Sequence, residues 1–77
     1  MNIYVRNLSP KTLRWELLGC FRKHGDVTDV TISTWKVEGH TRASGFVEMP
    51  CKEQALAAIA ALQDQDLGGN LLRLQED

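Results

Sequence analysis

Few side chains in this sequence could do chemistry, and most of them speak against catalysis. Cys20 and Cys51 lie 31 residues apart with no His or Cys neighbour at ligand spacing. Neither a zinc site nor a Cys-x-x-Cys redox pair is expected, and no cofactor is implied. One disulfide is formally open, but a cytoplasmic chain keeps thiols reduced, so the two read as small apolar side chains. Pro50-Cys51 opens a helix, whose amide ends favour a thiolate, yet no basic partner accompanies the thiol. His24 and His40 stand beside glycines in turn-like segments with no nucleophile in reach, and read as surface turn residues. What remains is flat rings and guanidinium groups: Tyr4, Phe46 and Trp35 with Arg6, Arg42 and Arg73. Aromatic faces stack on other π systems, and the planar fork of arginine grips phosphate. The elements that carry these groups decide whether they meet.

The bounds on those elements are tight. At 77 residues the chain has room for one core, so residues 1–77 read as one domain with a thin stability margin. Apolar residues at 43% and charged residues at 25% are ordinary globular usage. The longest apolar run, Ala55 to Leu62, is too short to span a bilayer, and the opening residues read as a strand rather than a leader, so a cytoplasmic protein is expected. The net charge of −1 gives no bulk preference for polyanions, but its distribution is uneven. Residues 1–42 carry seven Lys/Arg against four Asp/Glu, and residues 43–77 carry two against six.

Residues 2–8 alternate, with Ile3, Val5 and Asn7 on one side and Tyr4 and Arg6 on the other, the period of a strand. Ser9-Pro10 breaks it. A helix follows from a Thr12 cap, with Leu13, Leu17, Cys20 and Phe21 at helical spacing, and closes at Gly25. Residues 27–33 return to strand composition, with Val30 and Ile32 opposite Thr31 and Ser33. The stretch from Thr34 to Thr41 reads as an extended hairpin loop around Glu38-Gly39. Strand character resumes from Ala43 to Met49: Gly45, Val47 and Met49 share one face, Ser44, Phe46 and Glu48 the other. Cys51 to Leu62 is a helix with Leu56, Ile59 and Leu62 in one stripe. After a Gly68-Gly69 turn, Leu71 to Gln75 forms the last strand with Leu72 and Leu74 inward.

The order β-α-β-β-α-β, with right-handed crossovers, gives an α+β ferredoxin-like sandwich. Its four-stranded antiparallel sheet carries both helices on one face. The other face is bare. Its outward residues are Tyr4, Arg6, Thr31, Ser33, Ser44, Phe46, Glu48, Arg73 and Gln75, and the first and third strands are neighbours, which brings Tyr4 and Phe46 together. Two exposed rings side by side are costly unless something covers them. Nucleobases fit, since each has a π-face and a stack is worth about 1–3 kcal/mol.

These residues also resemble a known family, the RNA recognition motif, in the short single-domain form found in bacteria. IYVRNL (Ile3 to Leu8) is similar to the family's hexamer motif, with Tyr4 at the base-stacking position. RASGFVEM (Arg42 to Met49) is similar to its octamer motif, with Arg42 at the basic, Gly45 at the small and Phe46 at the second aromatic position. The FRKHG close of the first helix and the DLGGNLLRL ending fit as well, so the likeness spans nearly the whole chain. It departs at Ser44, which holds the first aromatic position, and at Ala43, which replaces a glycine. The resemblance implies a binder of single-stranded RNA, with single-stranded DNA as the alternative ligand. Tyr4 and Phe46 stack bases; Arg6, Arg42 and Arg73 meet phosphate or base edges; Ser44 and Glu48 share the face, and Gln75 reads a base edge. Trp35, at the start of the hairpin loop, is a candidate to swing over the sheet and substitute for the missing ring. Two stacks and three arginines imply weak binding and a log-log salt slope of about −2.

Two other function classes share parts of this pattern. Acylphosphatases share this topology but need a phosphate cradle after the first strand, where Ser9-Pro10-Lys11 offers none; Asn7 fits better as a tie from the strand end to neighbouring backbone. The chain is therefore not expected to be an enzyme. The stronger rival is a protein-interaction or weakly self-associating module using the outer face of the first helix, where Trp15 and Leu18 stand three apart beside Gly19. The acidic ending, Gln75-Glu76-Asp77, adds no electrostatic grip on a polyanion.

Overall fold

In the computed structural model, which describes all 77 residues, the chain forms β1 (Asn2–Leu8), α1 (Arg14–Arg22), β2 (Asp29–Val37), β3 (His40–Glu48), α2 (Lys52–Leu62), β4 (Asp66–Leu67), β5 (Asn70–Leu71) and β6 (Arg73–Glu76). The sheet runs β2-β3-β1-β6, antiparallel throughout, and β4–β5 is a small separate hairpin before the last strand. The expected last strand from Leu71 to Gln75 is thus two pieces. The β4–β5 turn uses positive φ at Gly68 and Gly69, as the Gly-Gly pair predicts.

One sheet face carries the core. Ile3, Val5, Val47 and Leu74 pack against Leu17 and Phe21 of α1 and Ala55 and Ala58 of α2, all nearly sealed from water. Burying a Phe, Leu or Ile side chain is worth about 1.5–3 kcal/mol, so this small set supplies most of the stabilisation. Gly45 belongs to it because α1 sits so close: a Cβ there would lie 3.0 Å from Leu17 Cδ2 and from Thr31 O.

Several sequence expectations are corrected. Leu13, not Thr12, caps α1, because Glu16 at the third helical position reaches back and accepts the Leu13 N–H at 2.9 Å. The Thr12 hydroxyl has no partner, and Leu13 lies exposed outside the core. The helix ends at Arg22, before Gly25. In α2 the inner stripe is Ala55, Ala58, Ile59 and Leu62, while Leu56 faces solvent. Alanines let the helix approach the sheet, and Leu56 falls on the outer side of that stripe.

Asn7 does not continue the inward set of β1. The ladder shifts between Val5 and Leu8, Asn7 takes φ 62°, and Leu8 becomes the next core residue. Asparagine tolerates this left-handed backbone, and the bulge turns both Arg6 and Asn7 outward. The segment Thr34–Thr41 is no loop: β2 and β3 pair without interruption to Val37↔His40, closed by Glu38 and Gly39, both at positive φ. That is the two-residue turn whose twist suits a hairpin. His40 is accordingly a strand residue.

Both sheet edges are engaged near the core. Gln63 exchanges two 2.8 Å bonds with Leu74 along β6, donating to its carbonyl and accepting from its N–H. On the other side Arg14 Nε donates to Val30 O at 2.7 Å. Along β6 these bonds occupy backbone groups on which another strand could otherwise pair.

Candidate functional site

The register fixes what shares the uncovered face. Thr31, Phe46, Tyr4 and Gln75 stand in one row across all four strands. Toward the β2–β3 turn the next row pairs Ser33 with Ser44 and Arg6 with Arg73, and the row beyond pairs Trp35 with Arg42. Toward the opposite end Asp29 pairs with Glu48. Side chains at every second strand position share a face, so these rows are neighbours about 7 Å apart.

The Tyr4 and Phe46 rings meet with centroids 4.8 Å apart and planes tilted by 30°. Phe46 is 43% exposed despite sitting on an inner strand, because both helices lie on the other face. A tilted pair of this kind offers two adjoining π surfaces to solvent.

The predicted arginines are not equivalent. Arg73 Nη1 donates to Asp64 Oδ1 at 2.7 Å, a partner on the loop after α2 that has φ 62°. Arg6 and Arg42 have no carboxylate within ion-pair distance. With Trp35, Ser44 and Asn70 the three arginines line an open concavity of about 900 Å³, which no Asp or Glu lines. Two acidic residues of the open face stand at the other end: Glu48 Oε1 accepts the Thr28 hydroxyl at 2.9 Å, and Asp29 approaches Arg14 at 3.8 Å. Asn7 ties the site's rim, donating from Nδ2 to Leu71 O at 2.8 Å while its own carbonyl accepts Asn70 Nδ2 at 3.2 Å. The expected strand-end tie is therefore present.

Two predicted residues stand differently from their sequence reading. Ser44 lies on the outward face but is only 6% exposed, a short side chain below the tops of its larger neighbours. Trp35 needs no swing from a loop: it is a β2 residue on the open face, directly opposite Arg42. Sequence reasoning missed Asn70, His40 and Pro10 as lining residues. The Glu38-Gly39 pair was the signal for the longer hairpin. Nothing in the sequence marked the Asp64–Arg73 pair.

On the helical side Trp15 is 68% exposed, but Leu18 packs against the core. The pair expected to form an outer patch is thus reduced to one ring. Cys20 is half-buried and Cys51 exposed at the start of α2, both as free thiols, so Cys51 is not a core residue. No cluster of three His, Cys, Asp or Glu side chains forms a metal site, and no helix is long and apolar enough to cross a membrane.

Comparison with known proteins agrees with this geometry. The family model for the RNA recognition motif matches residues 3–73. A glycine-rich RNA-binding protein of Mycosarcoma maydis is 38% identical over 94% of this chain, which spans 41% of that protein. RbpE of a Nostoc species, named as an RNA-binding protein, is 37% identical over 99% of this chain and 77% of its own length. Among solved structures, the RNA-binding protein PG1 superposes with a TM-score of 0.87 at 38% identity, covering 100% of this chain and 93% of that one.

Proposed function

The chain belongs to the RNA recognition motif family, a family of RNA-binding proteins and not of enzymes, and from that premise we propose that it binds single-stranded RNA on its open sheet face. One base stacks on Tyr4 and the next on Phe46. Arg6 and Arg42 meet phosphate, Arg73 joins them when it leaves Asp64, and Gln75 in the ring row reads a base edge. The observation that carries this reading is the 4.8 Å Tyr4–Phe46 pair on the open face, Phe46 exposed and Tyr4 half-buried, beside a basic concavity. Neither ring is sealed by the rest of the chain, and a stacked base gains about 1–3 kcal/mol by covering them.

The affinity is modest, on the order of micromolar, because two stacks and a few charges must also order a flexible strand. The ligand is cytoplasmic RNA; single-stranded DNA offers the same bases and phosphates and lacks only the 2′-hydroxyl. The second reading, docking or weak self-association through α1, retains one supporting observation, the exposed Trp15.

The test is a titration of wild type and Tyr4→Ala/Phe46→Ala with a mixed-sequence RNA hexamer, followed by NMR. Two lost stacks should weaken binding about 30-fold or more. Unchanged affinity in a folded double variant, or wild-type shifts confined to α1 and α2, would refute the proposal.

A further inference from the structure

The Tyr4–Phe46 platform has two unlike ends. Beyond it in one direction stand Asp29 and Glu48, and in the other Arg6, Arg42 and Arg73. A polyanion laid on the rings is repelled from the first end and drawn to the second. Any nucleotide beyond the two stacked bases therefore travels toward the β2–β3 turn. There it meets Trp35, 45% exposed, which lines the concavity together with Arg42 and Ser44.

Ser44 is what makes that place a slot. Phe46 and Arg42 flank it on β3, and Ser33 faces it on β2 with Trp35 one row further on. The floor is thus two serines, with an aromatic wall on either side. From the Phe46 row to the Trp35 row is four strand residues, about 13 Å, which is room for one nucleotide between the walls. The Ser44 hydroxyl makes no hydrogen bond to the rest of the protein and, unlike that of Thr12, is not sealed, so it opens to solvent at the floor of the slot. A polar atom in that position is served by a ligand's polar edge or by water. A large ring at residue 44 would fill the slot and leave a flat surface instead.

The geometry points to a third nucleotide subsite of single-stranded RNA, distinct from the two-base platform. Its base lies against the Trp35 indole above Ser44, and its phosphate between Arg42 and Arg6. This rests on the RNA-binding reading above, and adds the direction of the strand and a minimum length of three nucleotides.

The experiment compares a mixed-sequence RNA dinucleotide with a mixed-sequence hexamer, for wild type, Trp35→Ala, Trp35→Phe and the Tyr4→Ala/Phe46→Ala variant, by NMR shift titration. A Trp15→Phe background leaves Trp35 the sole indole for a parallel fluorescence measurement. Trp35→Ala should weaken the hexamer about 10-fold and the dinucleotide less than twofold. Trp35→Phe should recover most of the loss, and the hexamer alone should quench Trp35. If Trp35→Ala leaves hexamer affinity unchanged while the double variant abolishes it, the subsite is wrong and the platform stands. Equal losses for dinucleotide and hexamer would also overturn the subsite, since Trp35 would then act only through the fold. If neither variant matters, both readings fail together.

Discussion

The two faces of the sheet are made from alternate residues of the same strands, yet they solve opposite problems. Ile3, Val5 and Val47 are sealed beneath the helices, while of their immediate neighbours in sequence Arg6 and Phe46 stay in water and Tyr4 is only half-buried. On the covered face a ring such as Phe21 gains by leaving solvent. On the open face Phe46 loses that gain until a partner arrives. The covered face should therefore set stability and the open face affinity, with little exchange between them. Residues more than about 7–10 Å apart without shared partners usually act additively.

The strongest way to break that division is Phe21→Ala. Truncating a fully buried Phe costs about 3–5 kcal/mol, a large part of the roughly 4–12 kcal/mol expected of a chain this size. Urea denaturation should record the loss. NMR titration of the remaining folded protein should give wild-type RNA affinity within about twofold. A parallel loss of intrinsic affinity would mean that α1 packing shapes the open face.

That separation also explains what the sequence made legible. Where one face is buried, alternation is enforced, so β1 as far as Val5, the core end of β3, and Leu17 and Phe21 of α1 could be read from periodicity, whereas in α2 Ala55 and Ala58 took the inner place expected of Leu56. The outer half of the β2–β3 hairpin reaches past the helices. From Thr34 to Thr41 no core selects for apolar residues, and the segment resembled a loop although its ladder is complete. The left-handed turns hid in a similar way. Asn7 and Asp64 reverse side-chain direction by backbone geometry, so Leu8 came to the core and Asp64 to Arg73 without a pattern to announce either. The ring pair was legible because the sheet order places it; the inequality of the arginines was not, because it depends on a loop.

A smaller effect tests the open face alone. Arg6 stands opposite Arg73 with no carboxylate partner. Arg6→Gln should leave the urea midpoint nearly unchanged and flatten the log-log salt dependence of RNA binding by about 0.7, the share of one phosphate contact on a single strand. An unaltered slope would remove Arg6 from the phosphate path and shift the strand toward Arg42.

The smallest effect sharpens the comparison most, because it should raise affinity while stability barely falls. Asp64 holds Arg73 at 2.7 Å, and both side chains are more than half exposed. An exposed ion pair is worth about 0–1 kcal/mol to folding, so losing it costs little. Asp64→Asn keeps the left-handed backbone, which asparagine adopts readily, while removing the charge that competes with phosphate for Arg73. RNA affinity should rise a few-fold at low salt, and the salt slope should steepen by up to about 0.7 as Arg73 becomes a full contact. Titration of the variant across salt concentrations measures both. If affinity falls instead, Asp64 orients Arg73 for its ligand rather than restraining it, and the loop after α2 becomes part of the binding face.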